Sequence, residues 1–263
     1  MEPIYIIKIG GNVIDDPVKL SWFLEYFSEI PGKKILVHGG GKLATELAEQ
    51  LGVKQQMIDG RRVTDAETLK IVTMVYAGYI NKSLVARLQF YGINALGLTG
   101  ADANLLPAKK REHPTIDYGF VGDIESKQIL VMKWMTLLNN KFTLVMAPIT
   151  HDNRGQLLNT NADSVAQEIA TVLGRGYEVH LIYCFEKKGV LRDVNDEDSV
   201  ISRINPAYYA ELKEKGLIFA GMLPKLENAF AAVNQGVKRV VIGQAEQLLE
   251  LVAGIKGTTI SNE

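Results

Sequence analysis

The sequence predicts an α/β protein with an open, mainly parallel β-sheet sandwiched between helices. Short apolar runs rich in β-branched residues recur along the chain, and most of them end at Gly or Pro. Continuous apolar runs of this length are typical of strands that are buried on both faces. Longer segments of helical character separate these runs, and a regular alternation of strands with helices favours a parallel sheet covered on both sides.

The elements are predicted in chain order from these runs and their boundaries. The predicted strands are residues 4–9, 34–38, 93–98, 142–147, 179–184 and 239–242. The predicted helices are residues 17–30, 42–51, 66–91, 132–140, 162–173, 206–215, 223–235 and 245–252. Two stretches break the alternation, and their glycines, prolines and alternating residues predict β-hairpins or lids outside the main sheet, at residues 54–64 and 109–130. A glycine-rich break near residue 175 predicts two lobes of one compact unit, residues 1–175 and 176–263.

Composition excludes several classes of protein. The chain has 263 residues with 29 Lys plus Arg against 30 Asp plus Glu, so a basic surface for nucleic acid is not expected. No apolar run reaches the roughly 18 residues of a membrane span, and no secretion leader is recognised, so we expect a cytoplasmic protein. The single cysteine, Cys184, excludes an internal disulfide and makes a zinc site built on cysteines unexpected.

Two glycine-rich turns follow the first two predicted strands. Lys8 lies in an apolar strand just before Gly10 and Gly11, and a run of glycines, 39–41, separates the second strand from a helix. Ligands of an open α/β sheet bind at the carboxyl ends of its strands, where backbone N–H groups of glycine turns bind anions. The sequence therefore favours a phosphate site, because burying a lysine is costly without an anionic partner.

Other interpretations of these turns stay open at this point. Lys8 could simply reach solvent at a strand end, and the glycines could form only a flexible turn. The spacing of Gly39, Gly41 and Ala44, with Asp59 twenty residues after Gly39, partly matches a dinucleotide-binding fingerprint, although Asp59 lies in the predicted hairpin.

Three further segments carry candidate binding groups. Arg62 presents a planar fork that suits a carboxylate, although an exposed arginine pair, Arg61 and Arg62, is the simpler interpretation. Residues 159–163, Asn-Thr-Asn-Ala-Asp, supply amide and carboxylate groups that could bind a ligand or cap the next helix. Lys225 lies in the first turn of a predicted helix, where the helix dipole disfavours a cation, so it favours an anionic ligand.

Taken together and in this order, these segments resemble the acetylglutamate kinases of the amino-acid kinase superfamily. The resemblance is carried by residues 8–11, 38–41, 60–64, 81–82, 158–163 and 221–225, and extends from residue 4 to about residue 257. It implies transfer of the ATP γ-phosphoryl group to the side-chain carboxylate of N-acetyl-L-glutamate in arginine biosynthesis. It further implies that the two irregular stretches are hairpin lids over the acceptor site.

The resemblance also implies the roles of individual residues. The catalytic residues would be Lys8, Lys225 and Asp163, with the two lysines stabilising the transferring phosphoryl group and Asp163 holding them. The acceptor would bind to Gly40, Gly41, Arg62, Asn159 and Asn161. The nucleotide would bind to Gly10, Gly11, Glu186, Lys188, Gly189, Ile218 and Gly221. Mg²⁺ would accompany ATP and keep mostly phosphate and water ligands, so no dedicated metal site in the protein is expected.

One segment departs from the family pattern. The family's Thr/Ser-Asp-Val-x-Gly-Val-Leu stretch reads Phe-Glu-Lys-Lys-Gly-Val-Leu here, at residues 185–191. The aspartate is replaced by Glu186 and the valine by Lys187, so the resemblance places ATP less firmly than the acceptor.

The resemblance leaves the acyl group and the assembly as expectations. A basic stretch at Lys109, Lys110 and Arg111 raises the alternative of N-succinylglutamate, whose acyl group carries a second carboxylate. Another alternative is a catalytically silent sensor on the same fold, against which the two lysines argue. A homodimer insensitive to arginine is expected, because arginine-inhibited members carry a helix before the first strand, and residues 66–91 would form its interface.

Overall fold

We describe the protein from a computed structural model at residues 1–58, 61–193, 195–217 and 222–263. Two of the predicted nucleotide-binding residues, Ile218 and Gly221, lie outside these described residues, as does Asp59 of the dinucleotide alternative.

Fourteen strands are present in the described part of the chain. They are β1 (Pro3–Ile9), β2 (Lys33–His38), β3 (Gln56–Ile58), β4 (Arg61–Val63), β5 (Ala95–Leu98), β6 (Ala108–Lys110), β7 (Gly122–Ile124), β8 (Thr143–Met146), β9 (Ile149–His151), β10 (Leu157–Asn159), β11 (Glu178–Phe185), β12 (Arg203–Ile204), β13 (Arg239–Gln244) and β14 (Thr258–Ile260).

The helices lie between these strands and cover the sheet. They are α1 (Gly11–Ile14), α2 (Pro17–Glu29), α3 (Gly41–Gln50), α4 (Ala66–Thr73), α5 (Asn81–Phe90), α6 (Val131–Asn139), α7 (Ala162–Leu173), α8 (Pro206–Glu214), α9 (Leu223–Asn234) and α10 (Leu248–Ala253). A π-helical segment, Met74–Ile80, joins α4 to α5, so the predicted helix over residues 66–91 is one continuous helix with a wider middle.

The central sheet has eight strands in the order β12-β14-β13-β11-β1-β2-β8-β5. The six strands predicted from the sequence form its parallel part, which confirms the predicted fold class. The prediction missed β14, which runs antiparallel to β13, and its short partner β12. It also missed the β9–β10 hairpin. These strands have only two or three residues each, too few to give a clear apolar run.

Two hydrophobic clusters cover the two faces of the sheet. Along β1 the side chains alternate, so Ile4 and Ile6 belong to one cluster while Ile7 and Ile9 belong to the other. The same alternation puts Lys8 on the face of Ile4 and Ile6, which α7 covers. Helix α7 begins at Ala162 and carries Asp163 in its first turn, so the fold brings Lys8 to the start of α7.

The two irregular stretches form antiparallel hairpins, as predicted. They are β3–β4 and β6–β7, and they are joined at Thr64, whose N–H donates to Tyr118 O at 2.9 Å and whose carbonyl accepts from Phe120 N at 2.6 Å. The junction needs Gly119, which has φ +70 and whose Cβ, if present, would lie 2.2 Å from Thr64 O. A side chain there would collide with backbone, so the two hairpins are held together by a glycine.

No helix in the described ranges combines the length and the apolar character that a membrane crossing requires.

Candidate active site

The candidate site lies at the carboxyl ends of the central strands. β1 lies between β2, which follows it in the chain, and β11, which comes much later in the chain. Ligands of open α/β sheets bind at such a switch in strand order, because the loops diverge there and leave a crevice. Lys8 of β1 and Phe185 of β11 both lie at this crevice.

Lys8 and Asp163 form an ion pair at the crevice. Lys8 Nζ lies 2.7 Å from Asp163 Oδ1, and Lys8 is 9% exposed. This carboxylate oxygen is buried and has no partner of hydrogen-bond geometry among the described residues, so the contact is one between charges. Asn161 Oδ1 caps α7 by accepting from Asp163 N at 2.8 Å and from Ser164 N at 3.1 Å, which fixes the helix start and so the carboxylate.

Lys225 lies in the first turn of α9, and its ammonium group points to the ring of Phe185, near Lys8. Its Nζ lies 3.7 Å from the centre of the Phe185 ring, and Lys8 Nζ lies 5.7 Å from that centre. Burial lowers the pKa of Lys225, and the charge of Lys8 lowers it further, while Asp163 and Glu186 act in the opposite direction. The structure therefore brings together the three residues predicted to be catalytic.

A cavity of about 410 Å³, the Phe185 cavity, opens beside Lys225. It is lined by Gly11, Asn12, Phe185, Glu186, Lys187, Gly189, Met222, Lys225 and Ile242. The predicted nucleotide residues Gly11, Glu186 and Gly189 therefore meet here. A side chain at Gly189 would collide with Thr258, because its Cβ would lie 2.7 Å from Thr258 Oγ1.

Two of the predicted nucleotide residues do not line this cavity. Gly10 lies next to it, as the residue that precedes α1. Lys188 lies outside it and pairs with Asp198 at 2.6 Å on the surface, whereas its neighbour Lys187, which was not predicted, lines the cavity.

A second cavity of about 190 Å³, the Arg62 cavity, lies over the glycine turn that follows β2. It is lined by Gly39, Gly40, Gly41, Met57, Arg61, Arg62, Tyr76, Val121, Pro148, Asn159, Thr160, Asn161 and Ala162. All five residues predicted to bind the acceptor lie in this lining.

Arg62 is buried, and its guanidinium is held by neutral acceptors alone among the described residues. It donates to Gly41 O at 2.8 Å, to Thr45 Oγ1 at 2.9 Å and to Gln55 Oε1. Because no carboxylate pairs with it there, the positive charge is available to an anionic ligand in the cavity. The interpretation of Arg61 and Arg62 as a solvated surface pair is wrong for Arg62.

Gly40 and Asn159 shape the floor and wall of the Arg62 cavity. Gly40 has φ +143, and a Cβ there would lie 2.2 Å from Ile80 Cδ1, so only glycine lets the backbone approach the π-helical segment. Asn159 Nδ2 donates to Thr64 Oγ1 at 3.0 Å, and Asn159 N donates to Phe120 O at 2.8 Å. The hairpin junction thereby fixes the asparagine amide at the cavity wall.

Sequence reasoning missed several residues of the two cavities. Tyr76 was interpreted as a packing residue and lies in the wall of the Arg62 cavity, together with Met57 and Val121. Burial raises the pKa of Tyr76, so its hydroxyl stays protonated at neutral pH. The sequence carries no signal for this position, because Tyr76 lies in a π-helical segment. Phe185 gave no signal beyond its departure from the family pattern.

Two reactive residue types near the site have no catalytic use there. His38 is fully buried, and burial lowers its pKa to about 4; it contacts Asn81 Nδ2 at 3.1 Å. Cys184 is fully buried too, and burial raises the pKa of its thiol to about 12. Both are core residues.

Comparison with known proteins agrees with this geometry. The sequence pattern of the "Amino acid kinase family" matches residues 3–244. An acetylglutamate kinase from Cytophaga hutchinsonii is 57% identical over 253 residues, which are 96% of this chain and 95% of the relative. One from Parabacteroides distasonis is 50% identical over 94% of this chain and 96% of the relative. The crystal structure of smu.665 from Streptococcus mutans superposes with a TM-score of 0.76 at 28% identity, covering 99% of both chains. The chain therefore belongs to the amino acid kinase family, in its acetylglutamate kinase branch.

Proposed function

We propose that the protein transfers the γ-phosphoryl group of ATP to the side-chain carboxylate of N-acetyl-L-glutamate. This reaction forms an acyl phosphate in arginine biosynthesis. The observation that carries the proposal is the position of Lys8 and Lys225. Both ammonium groups lie at the ring of Phe185, which lines the Phe185 cavity. Lys8 also pairs with Asp163, which follows directly after Asn161 and Ala162 in the lining of the Arg62 cavity. Two cations between two cavities suit a phosphoryl group in transfer.

The Arg62 cavity provides for the acceptor. Arg62 would bind its α-carboxylate through the planar fork, and Asn159 would contact the acylated nitrogen. Gly40 is the N-cap of α3, and Gly41 is its first residue. The first N–H groups of a helix lack partners inside the helix, so the N–H groups of these two glycines would donate to the carboxylate that is phosphorylated. A carboxylate acceptor has no proton to remove, so the site needs no general base.

The Phe185 cavity provides for the nucleotide. Lys225 and the N–H group of Gly11 would contact the phosphates, and Lys8 would bind the transferring group from the side of β1. Phosphoryl transfer depends on positioning and charge neutralisation, which these groups supply. Mg²⁺ would bind to the phosphate oxygens and add positive charge there, while Asp163 stays paired with Lys8.

This assignment supports the proposed division into an acceptor-binding N-terminal lobe, residues 1–175, and an ATP-binding C-terminal lobe, residues 176–263. The Arg62 cavity is lined only by residues between 39 and 162. The Phe185 cavity is lined by residues between 185 and 242, with Gly11 and Asn12 reaching it from the other lobe.

The test is an assay of ATP-dependent acyl phosphate formation, with the product trapped by hydroxylamine and ADP release followed in parallel. We expect N-acetylglutamate to give both signals. Unacylated glutamate and aspartate serve as control acceptors and should give neither. ADP release without a trapped product, or activity with aspartate alone, would reject the proposed acceptor.

A second acceptor has one observation in its favour, the position of Arg61. The basic stretch of the hairpin, Lys109, Lys110 and Arg111, does not line the Arg62 cavity, and Arg111 is paired with Asp123. Arg61 instead lines the Arg62 cavity, and no carboxylate lies within ion-pair distance of it in the described part of the chain. Burial, and then the charge of Arg111, lowers its pKa. An acyl group with its own carboxylate, as in N-succinylglutamate, would stabilise the charged guanidinium of Arg61 and so oppose both the burial and the repulsion by Arg111.

For this second candidate, kcat/KM for N-succinylglutamate is expected to exceed that for N-acetylglutamate. Arg61→Gln should then lower the succinyl value by about tenfold or more and leave the acetyl value unchanged, because a charged hydrogen bond contributes about 1.5–3 kcal/mol. Steady-state kinetics of both enzymes with both acceptors is the measurement. A preference for acetyl that Arg61→Gln does not change would reject the succinyl acceptor and retain the first.

The expected homodimer also becomes a proposal, with a changed interface. Of the residues expected to form it, Val72, Val75 and Tyr76 are buried inside the protein, which corrects that expectation. Tyr79 and Phe90 are 68% and 84% exposed on the same helix, and such large apolar side chains favour a protein partner.

We expect a mass in solution of twice the chain mass of 29.0 kDa. The double variant Tyr79→Glu and Phe90→Glu should give monomers, because burying two carboxylates in an interface is costly. Met132→Glu, which charges an exposed methionine on α6, is the control and should stay dimeric. Light scattering after gel filtration measures each mass, and a wild-type monomer or a double variant that stays dimeric would rule out this interface.

A further inference from the structure

Phe185 brings an aromatic ring to the point where the two lysines meet. Lys225 Nζ lies 3.7 Å from the ring centre, and Lys8 Nζ lies 5.7 Å from it. A cation within about 6 Å of an aromatic ring centre is attracted by the negative charge of the ring face. One ring therefore contacts both ammonium groups of the proposed reaction.

We propose that Phe185 is a positioning residue that holds the Lys225 ammonium group beside Lys8 through a cation–π contact, both before and after the nucleotide binds. The proposal rests on the proposed phosphoryl transfer, because the ring acts on the reaction only through Lys225.

Burial explains why Lys225 needs a holding group, because it is the largest cause that lowers the pKa of this lysine. Asp163 and Glu186 attract its ammonium group, and Lys8 repels it. Asp163 lies 2.7 Å from Lys8 Nζ and is committed to that partner. Among the described residues no carboxylate or carbonyl lies within ion-pair or hydrogen-bond distance of Lys225 Nζ. The ring of Phe185 is the direct contact that offsets the loss of solvent around the ammonium group.

The ring is itself held in place. It stacks on Tyr183, with ring centres 5.9 Å apart and an angle of 18° between the planes. The Tyr183 hydroxyl donates to Asp163 O at 3.3 Å, so the aromatic pair is tied to the start of α7, which carries the partner of Lys8. The stacked Tyr183–Phe185 pair is therefore one rigid support that contacts both lysine ammonium groups.

An aromatic ring suits this position better than a carboxylate would. A carboxylate would form an ion pair with Lys225 that must break before the lysine can bind phosphate. A ring attracts the ammonium group without carrying net charge, so the lysine is held in position and its charge stays available to an arriving anion.

The kinetic test compares Phe185→Leu with Phe185→Tyr. Leucine keeps an apolar side chain but removes the ring, and we expect kcat to fall by about tenfold, with the KM for the acceptor unchanged. Tyrosine keeps the ring face and should retain kcat within about twofold of wild type. Tyr209→Leu is the control, since it removes a ring that lies 6.0 Å from Lys213 Nζ, away from the site, and should leave kcat unchanged.

The pH dependence of kcat distinguishes positioning from simple packing. The ring stabilises the ammonium form of Lys225, so its loss should move the alkaline limb of the profile to lower pH in Phe185→Leu but not in Phe185→Tyr. Equal losses in the leucine and tyrosine variants, or a leucine variant with wild-type kcat and an unmoved limb, would overturn the proposal.

A second measurement needs no turnover. Lysine amines of the substrate-free enzyme are acetylated with limiting acetic anhydride, and labelling of Lys225 is measured by mass spectrometry relative to exposed Lys213. We expect faster labelling of Lys225 in Phe185→Leu, because more of the amine is unprotonated, and wild-type labelling in Phe185→Tyr. Unchanged labelling in the leucine variant would refute the cation–π contact. Absence of kinase activity in the wild type would instead refute the proposed function, whatever the labelling.

Discussion

Replacing Lys8 or Lys225 with alanine is expected to lower kcat by about a hundredfold or more and to leave the KM for the acceptor nearly unchanged. Each ammonium group contributes most when charge spreads over the transferring phosphoryl group, so its loss affects the transition state more than the bound acceptor. Lys8→Ala should cost at least as much as Lys225→Ala, because it also leaves the buried Asp163 oxygen without its partner at 2.7 Å.

The measurement is steady-state kinetics with ATP and N-acetylglutamate, accompanied by thermal unfolding of each variant. Lys213→Ala is the matched control, since Lys213 is an exposed helix lysine paired with Glu227 at 3.2 Å on the surface. Its kcat should equal that of the wild type. A folded Lys8 or Lys225 variant with near-wild-type kcat would remove that lysine from the reaction.

Arg62→Lys is expected to raise the KM for the acceptor by roughly 10- to 100-fold, the loss of one charged hydrogen bond, with a smaller effect on kcat. Lysine keeps the charge but lacks the planar fork, and it cannot span Gly41 O, Thr45 Oγ1 and Gln55 as the guanidinium does. The KM for ATP should not change, because Arg62 does not line the Phe185 cavity.

Arg154→Lys, at an exposed position between β9 and β10, is the control for this substitution and should leave both KM values unchanged. An acceptor KM of wild-type size in Arg62→Lys would place the α-carboxylate elsewhere in the cavity.

The parallel core of the fold was predictable because its strands are continuous apolar runs, several of which end directly at a glycine. The ends of those strands meet at one edge of the sheet by geometry alone, so Lys8 and the glycine turns could be placed near each other from the sequence. The first turn of α7 was predictable for the same kind of local reason, since Asn161 is a strong N-cap residue.

Contacts between distant segments could not be predicted in this way. Tyr76 reaches the Arg62 cavity through the π-helical geometry of residues 74–80, which shifts side chains relative to an ordinary helix and has no clear sequence signature. Asp123 pairs with Arg111 of its own hairpin and not with Arg61, a choice between two cations that the sequence does not reveal. Phe185 acquires its role only when α9 places Lys225 over its ring.

The π-helical segment has a consequence for how this protein can change during evolution. Its inner side carries Tyr76 and Ile80, which form the wall and floor at Gly40, and its outer side carries Met74 and Tyr79, which face solvent. Seven residues thus serve two surfaces. A substitution at Met74 or Tyr79 that changes the backbone of this segment is expected to move Tyr76 and Ile80 as well, so the proposed dimer surface and the proposed acceptor cavity would not evolve independently.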